Sequence, residues 1–216
     1  MLCNNAPELL GFSPQEIISR RVMPDFRKSL QQLKGEWMGC KKCILGFKRD
    51  DTGGRLVLGE GRTGGILFVG EGPGAVEAEA GRPFIGPSGG VLRKAINKLG
   101  LAECSYISNV IACRSFGPKY DNAGQVQTRY NRRTGGTEIV LQDESPPINA
   151  VNACLGRLYE EIYLVDPTLI VALGGEAAKA ILRRPVKVTE RRGTTVQVNI
   201  PGVWSSPDLT SKGHWV

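Results

Sequence analysis

The sequence predicts an α/β protein in which helices cover both faces of a mainly parallel sheet. Short, continuously apolar segments, as expected of strands buried on both faces, alternate with amphipathic helical segments. Glycine-rich turns separate these segments. In sheets of this kind ligands bind beyond the carboxyl ends of the strands, so we expect the functional residues at that edge.

The first clear strand is the apolar run at residues 66–69, which ends in the sequence Gly-Glu-Gly-Pro-Gly at residues 70–74. Ser88 is placed to be the N-cap of a helix whose apolar face extends to Leu99. Later segments repeat the alternation, with strand patterns at 106–112, 168–173 and 196–200 and helical patterns at 148–165 and 176–183.

Residues 1–38 predict a helical N-terminal extension that precedes the main domain, residues 39–216. The sequence Ser-Pro-Gln-Glu at residues 13–16 is typical of a capping box with proline at the first helical position. A second helix is predicted from Pro24 onward, with Phe26, Leu30 and Leu33 at helical spacing.

Residues 117–147 interrupt the alternation and predict a surface insertion. Segments 126–130 and 137–141 have strand patterns and flank a turn rich in arginine and glycine, so we expect a hairpin. Two interpretations stay open, a basic finger near a ligand and a plain tolerated loop.

The chain of 216 residues has 28 Lys+Arg and 21 Asp+Glu, a formal net charge of +7. Residues 1–49 and 179–193 hold most of the excess, which favours a polyanionic partner, although solvated basic faces explain it equally. No apolar run is long enough to cross a membrane, and the N-terminus lacks the pattern of a secretion signal. We therefore expect a cytoplasmic protein with no membrane partner.

Six cysteines are present, and without a secretion signal we expect them to be reduced. Cys40 and Cys43 have the two-residue gap that lets both sulfurs face one metal centre, and Cys113 and Cys154 are the candidates for further ligands. A redox pair, a half-used zinc site and two unrelated thiols are the rival interpretations of the first pair. Four thiolates alone do not distinguish zinc from iron–sulfur.

The sequence of residues 70–90, GEGPGAVEAEAGRPFIGPSGG, resembles the first motif of the iron–sulfur (family 4) uracil-DNA glycosylases. The resemblance continues through residues 106–114, Cys154 with its helix, residues 166–174 and Arg192-Gly193. It implies a three-layer α/β/α sandwich with a central four-stranded, mainly parallel sheet. It also implies a [4Fe–4S] cluster held by Cys40, Cys43, Cys113 and Cys154, with zinc as the alternative. Uracil-containing DNA is the implied partner, bound by a monomer.

The resemblance assigns roles to five residues around an extruded uracil. Asn109 matches the asparagine that recognises the base, and Phe84 matches the aromatic ring that stacks on it. Glu77 matches the acidic residue thought to assist hydrolysis, Glu71 is a second catalytic candidate, and Gly72 lets the backbone approach the base. Structural roles are the alternatives: Asn109 holding a loop, Phe84 filling the core and Glu71 holding a turn.

Ser88 and Gly89, at a predicted helix N-terminus, suit a DNA phosphate. Family members carry a later His-Pro motif, and this chain has Ser206 where that histidine is expected. The chain also ends before the closing C-terminal helix expected of the family. Its Cys113–Cys154 spacing is longer than usual for the family, because the predicted insertion lies between them.

Two functions follow. The first is a monofunctional glycosylase that hydrolyses the N-glycosidic bond of a flipped-out deoxyuridine in DNA. The alternative is a catalytically impaired DNA-binding relative that keeps the fold and the cluster, which the missing histidine motivates. A zinc-stabilised module of another function is a third, weaker interpretation.

Overall fold

The computed structural model describes residues 29–198 and 214–215, with side chains for residues 29–196. The α-helices of this part are α1 (Leu30–Trp37), α2 (Ile44–Asp51), α3 (Ala75–Ala80), α4 (Pro87–Lys98), α5 (Ile148–Val165), α6 (Gly175–Leu182) and α7 (Val188–Arg191). Its strands are β1 (Glu60–Gly61), β2 (Ile66–Gly70), β3 (Ser105–Asn109), β4 (Phe116–Pro118), β5 (Thr128–Asn131), β6 (Gly136–Ile139), β7 (Leu141–Asp143), β8 (Leu169–Ala172), β9 (Gln197–Val198) and β10 (His214–Trp215).

The central sheet has the strand order β1-β3-β2-β8-β10-β9. Strands β3, β2, β8 and β10 run parallel, which confirms the predicted four-stranded parallel centre. The short strands β1 and β9 border it in antiparallel orientation. The strand predicted at residues 196–200 is confirmed as β9, but it pairs antiparallel with β10 at the edge of the sheet, and β10 takes the fourth parallel place. A strand pattern gives the extended conformation of a segment but not its neighbour in the sheet.

Each face of the sheet packs on its own layer of helices, which confirms the three-layer arrangement. Leu67 and Val69 of β2 are fully buried against α5 and α6. Ile66 and Phe68, which point to the opposite face, pack on Ile96 of α4. This alternation explains why the β2 sequence is apolar at every position.

Two predicted boundaries change near the carboxyl ends of β2 and β3. The predicted strand 106–112 ends at Asn109, and residues 110 and 111 donate their N–H groups to the carbonyls of Gly70, the last residue of β2, and of Glu71 after it. These residues are apolar because they are buried under α5. Ser88 is not an N-cap: α4 begins at Pro87, and Gly86 occupies the cap without a side-chain hydrogen bond.

The predicted insertion forms an arm, which we define as residues 116–143. At its base β4 pairs with β7, and at its end β5 pairs with β6, so the predicted hairpin is confirmed. The arm leaves the domain after β3 and returns just before α5.

Within the predicted N-terminal extension the structure describes one helix, α1. A capping box joins Ser29 and Gln32 at its start. Leu33 and Trp37 are buried against Leu58 and Ala112 of the main domain. The predicted capping box at residues 13–16 lies outside the described residues, and the domain boundary at residue 38 stays a prediction. No helix in the described part of the chain is long and apolar enough to span a membrane.

Candidate active site

A cavity of about 550 Å³ opens beyond the carboxyl ends of β2 and β3, at the edge where the sequence predicts ligand binding. Three segments form its walls: the loop after β2 with α3, the start of α4, and the residues that link the arm to α5. All the predicted catalytic and base-binding residues line it: Glu71, Gly72, Glu77, Phe84 and Asn109. The structure therefore brings these five residues together.

Asn109 is the last residue of β3 and lies opposite Gly70 of β2. Its side chain is only 3% exposed, and its Oδ1 atom is buried with no hydrogen-bond partner among the described residues. A buried carbonyl oxygen without a donor costs free energy, so this atom is an acceptor that a ligand in the cavity would satisfy.

Gly70 permits the close approach of two side chains at the floor of the cavity. A Cβ atom on this residue would collide with the ring of Phe84 and would lie 2.7 Å from Oδ1 of Asn109. The absence of a side chain therefore lets the aromatic ring and the amide lie side by side at the end of β2.

Behind Asn109, a buried ion pair fixes the backbone that carries it. Arg157 of α5 is fully buried and donates from Nη2 to the carbonyls of Asn109 and Val110, the latter at 2.8 Å. Its Nη1 lies 2.6 Å from Oε2 of Glu161, one turn further along α5. Sequence reasoning missed this pair. The signal for it was two oppositely charged residues, four positions apart, beside the apolar face of a predicted helix.

Glu161 extends the network to β3 and to the loop before β1. It accepts hydrogen bonds from Ser108 Oγ at 2.5 Å, from Tyr106 Oη at 3.0 Å and from the Gly59 N–H at 2.9 Å. Burial, with the neighbouring Glu161 carboxylate, raises the pKa of Tyr106, so its hydroxyl stays a donor. The carboxylate is therefore saturated and cannot act on a ligand.

Phe84 is half-buried and holds an uncommon backbone conformation, with φ at 53°. Its carbonyl accepts a 2.9 Å hydrogen bond from Nε of Arg93, and a Cβ atom on Gly89 would collide with its backbone. The predicted DNA contact Gly89 is thus buried and packs against Phe84, whereas Ser88 is exposed at the rim of the cavity.

Glu77 of α3 has two different carboxylate oxygens. Oε1 accepts hydrogen bonds from the N–H groups of Ile85 and Gly86, at 3.1 and 2.7 Å. Oε2 lies beside Gly74, where the structure gives it no hydrogen bond within the described residues. One oxygen thus holds the loop that carries Phe84, and the other is available to a ligand.

Asp143, the last residue of β7, brings a further carboxylate that sequence reasoning missed. Its Oδ2 atom and Oε2 of Glu77 lie 3.4 and 2.9 Å from the point that a Cβ on Gly74 would occupy. Its Oδ1 atom accepts a 2.5 Å hydrogen bond from Nε of Arg114. Because this contact joins segments about thirty residues apart, no local sequence pattern predicted it.

Glu71 lines the same end of the cavity and is half-buried. Burial raises its pKa, and the negative charge of Glu176 adds to the effect. Gly72, the next residue, approaches Ile111 so closely that a Cβ atom would lie 2.6 Å from its side chain. Ser206, the remaining predicted contact, lies outside the described residues.

The four predicted ligand cysteines approach one another from three parts of the chain. Cys40 and Cys43 precede α2, Cys113 follows β3, and Cys154 lies in α5. Burial, with a smaller contribution from the neighbouring Cys154 and Cys43, raises the pKa of Cys113 to about 11. Cys154 is influenced in the same way by Cys43 and Cys40, so the four sulfurs share one electrostatic environment.

Arg49 lies at this thiol cluster, with Nη1 3.7 Å from Sγ of Cys113. Its guanidinium lowers the pKa of that thiol against the effect of burial. In the described part of the chain, no three Cys, His, Asp or Glu side chains are arranged to hold a metal ion. Cys113 and Cys154 are buried and Cys40 and Cys43 are half-buried. Four thiolates from three segments are a donor set that suits a [4Fe–4S] cluster, in which each binds a different iron, and zinc as well.

Comparison with known proteins agrees with this geometry. The sequence model of the uracil DNA glycosylase superfamily matches residues 58–211. This match over most of the chain shows that the chain belongs to the uracil DNA glycosylase superfamily, and the α/β sheet with a cavity at its carboxyl edge agrees with it.

Several type-4 uracil-DNA glycosylases are similar to the chain. The protein of Pyrobaculum aerophilum is 35% identical over 180 residues, which cover 81% of this chain and 77% of that protein. The protein of Thermotoga maritima is 31% identical, with coverage of 79% and 76%. That of Sulfurisphaera tokodaii is 31% identical, with 72% and 59%. The resemblance to family 4 is thereby confirmed.

Proposed function

We propose that the chain hydrolyses the N-glycosidic bond between uracil and deoxyribose in DNA, with the extruded base in the cavity beyond β2 and β3. The observation that carries the proposal is the buried, unpartnered Oδ1 atom of Asn109. The family membership and the type-4 relatives support the same activity.

Uracil fits the amide of Asn109 by its pairing edge. Uracil presents an N3–H donor beside an O4 acceptor, which match the amide oxygen and the amide N–H group of asparagine. Cytosine presents the opposite pattern, an acceptor at N3 and a donor at N4, and leaves both amide groups unsatisfied. Arg157 holds the main-chain carbonyl of Asn109 from behind and so fixes the backbone that carries the amide.

Phe84 supports the base from its flat face. A uracil inside a duplex is inaccessible, so the nucleotide must leave the stack, and the ring of Phe84 replaces part of the lost stacking. Gly70 admits this ring beside Asn109, which allows one base to contact both residues.

The carboxylates of Glu77 and Asp143 are the groups that assist bond cleavage. Water adds its hydroxyl to C1′ of the sugar and gives its proton to a carboxylate, while the electrons of the broken bond leave with N1 of uracil. The negative charges also stabilise the oxocarbenium-like sugar as it forms. Burial and the charge of Glu176 raise the pKa of Glu71 and so disfavour its charged form, which makes it the weaker candidate for that electrostatic role.

We propose that Cys40, Cys43, Cys113 and Cys154 hold a [4Fe–4S] cluster. Bound there, the cluster crosslinks the segment before α2, the loop after β3 and α5. Thiols with raised pKa must lose protons on binding, so loading will be favoured by alkaline pH. Cys113→Ser should lose iron and sulfide, whereas the buried Cys104, which lies outside this set, should tolerate the same change.

The alternative function, an impaired relative, rests on Ser206 and the missing histidine. The cavity residues argue against it, since the amide, the ring and a carboxylate oxygen free of hydrogen bonds are all in place in the described part of the chain. Ser88 at the rim is a proposed phosphate contact, and Ser206 is retained as a second one.

Uracil release from a single-stranded oligonucleotide tests the proposal, with metal content measured on the same sample. Asn109→Ala should slow release about 10²-fold or more, because it removes the base-reading amide. Asn152→Ala, an exposed change on α5, is the matched control and should leave the rate unchanged. No release by the cluster-loaded wild-type protein would reject the enzyme and favour the impaired relative.

A further inference from the structure

The arm is fixed to the wall of the candidate active site. Asp143 at the end of β7 lines the cavity, as do residues 144–146, which lead from the arm to α5. Arg114 anchors Asp143 by a 2.5 Å hydrogen bond, and the side chain of Glu144 packs against Gly117 of β4. The position of the arm is therefore tied to that of the cavity.

The hairpin at the end of the arm has two different faces. On one face Glu138 accepts a hydrogen bond from Asn131 and pairs with Arg129 at 3.7 Å, so that face satisfies its own polar groups. The cross-strand pairs Tyr130–Thr137 and Thr128–Ile139 form the other face.

This second face has no partner within the described residues. Tyr130 is 68% exposed and Ile139 is 55% exposed, although a hairpin usually buries one face. Exposed aromatic and apolar side chains on a projecting element mark a surface that another molecule covers.

The turn that joins the two strands is positively charged. Arg132 and Arg133 are exposed, and the described part of the chain provides neither with an ion pair. The nearest acidic residue of the hairpin, Glu138, is already paired with Arg129. Asp121, further back on the arm, accepts hydrogen bonds from the N–H groups of residues 123 and 125 and thereby holds its own loop.

We propose that the exposed face of the hairpin and its arginine turn bind the DNA strand that continues from the nucleotide in the cavity. This inference rests on the proposed function, because the cavity must hold a nucleotide for its strand to reach the arm. Tyr130 stacks on an unpaired base, and Arg132 and Arg133 contact phosphates of the same strand. Nucleic acid suits this surface better than a protein does, because two unpaired arginines beside an aromatic ring match phosphates and bases.

The test is the salt dependence of binding to a fluorescent single-stranded oligonucleotide that has thymine in place of uracil. Arg132→Ala/Arg133→Ala should reduce the slope of log K against log[NaCl] by about 1.4, which is about 0.7 for each lost phosphate contact. Arg62→Ala/Lys98→Ala is the matched control. It removes the same charge from exposed residues at the amino-terminal edge of the sheet, away from the cavity, and should leave the slope unchanged.

A second measurement examines stacking. Tyr130→Ala should weaken binding about tenfold, and Tyr130→Trp should restore it, because any aromatic ring offers a face to a base. Equal slopes for the arm and control variants, or full affinity for Tyr130→Ala, would overturn the proposal. Capture of a protein by the same face in place of DNA would overturn it as well.

An error in the DNA-binding role proposed for the arm and an error in the proposed function would give different results. A short substrate with one nucleotide on each side of the uracil lacks the continuing strand that the hairpin is proposed to bind, so the arm variants should cleave it at the wild-type rate. If the wild-type protein releases no uracil from any substrate, the proposed function fails. If it releases uracil and the arm variants bind the long oligonucleotide normally, only the present inference fails.

Discussion

Arg157→Met is the sharpest test of the buried network behind Asn109. Methionine has a similar length but no donor, so the change leaves the carbonyls of Asn109 and Val110 and the carboxylate of Glu161 without their cation. Removing one partner of a fully buried ion pair costs about 3–5 kcal/mol, because the remaining charge is uncompensated. We expect that loss in the free energy of unfolding.

The comparison is an exposed pair in the same protein. Lys187 and Glu190 lie 3.1 Å apart with side chains 80% and 64% exposed, so Lys187→Met should cost about 0–1 kcal/mol. Urea unfolding measures both variants, with metal content determined for each. The double variant Arg157→Met/Glu161→Gln should recover at least about 1 kcal/mol over Arg157→Met alone, since a neutral amide needs no counter-charge.

A functional measurement separates positioning from stability. In the double variant part of the stability is restored but the main-chain carbonyl of Asn109 is no longer held, so inhibition by free uracil should weaken and release of cytosine relative to uracil should rise. The reasoning is refuted if Arg157→Met costs no more than Lys187→Met, or if the double variant keeps the selectivity of the wild type.

Three further changes test the cavity. Glu77→Gln should slow uracil release about 10²–10⁴-fold while binding of uracil-free DNA persists, and Glu79→Gln, an exposed neighbour, should have no effect on the rate. Burial raises the pKa of Glu71, so the folded state holds a proton that the unfolded state releases, and wild-type stability falls as pH rises from the ordinary glutamate value to the raised one. Glu71→Gln should therefore gain stability over the wild type at neutral pH and lose that advantage in acid, as urea titrations at both pH values will measure. Gly70→Ala should cost about 1–3 kcal/mol by its collision with Phe84 and abolish uracil release, whereas Gly35→Ala, which meets nothing within 4 Å in α1, should be neutral or stabilising on thermal unfolding.

Local sequence patterns predicted the helices and strands in which buried residues recur at a regular spacing. Helix α5 has the predicted bounds, because its apolar residues recur at helical spacing and Pro146-Pro147 precede it. Strand β2 also lies within one residue of the prediction, since burial on both faces makes every position apolar. The predicted base-binding residues Asn109 and Phe84 do line one cavity, but their roles stay predictions.

What the sequence could not predict depends on contacts between distant segments. Asp143 enters the cavity only because β7 pairs with β4 and Arg114 anchors it. Arg157 and Glu161 are two charged residues in a helix, and only the packing of α5 against the loop after β3 buries them. Ser88 resembled a cap by its type alone, but the helix begins one residue earlier, at Pro87.

The depth of the Arg157–Glu161 pair has a consequence for enzyme behaviour at high ionic strength. Mobile ions screen charges at the surface, such as those of Arg132 and Arg133, but they do not enter the interior around α5. High salt concentration will therefore weaken binding to DNA, while the selectivity for uracil over cytosine persists. Affinity for DNA thus depends on charges exposed to the solvent, whereas base selectivity depends on charges in the protein interior. Measurements at high salt concentration will distinguish the two.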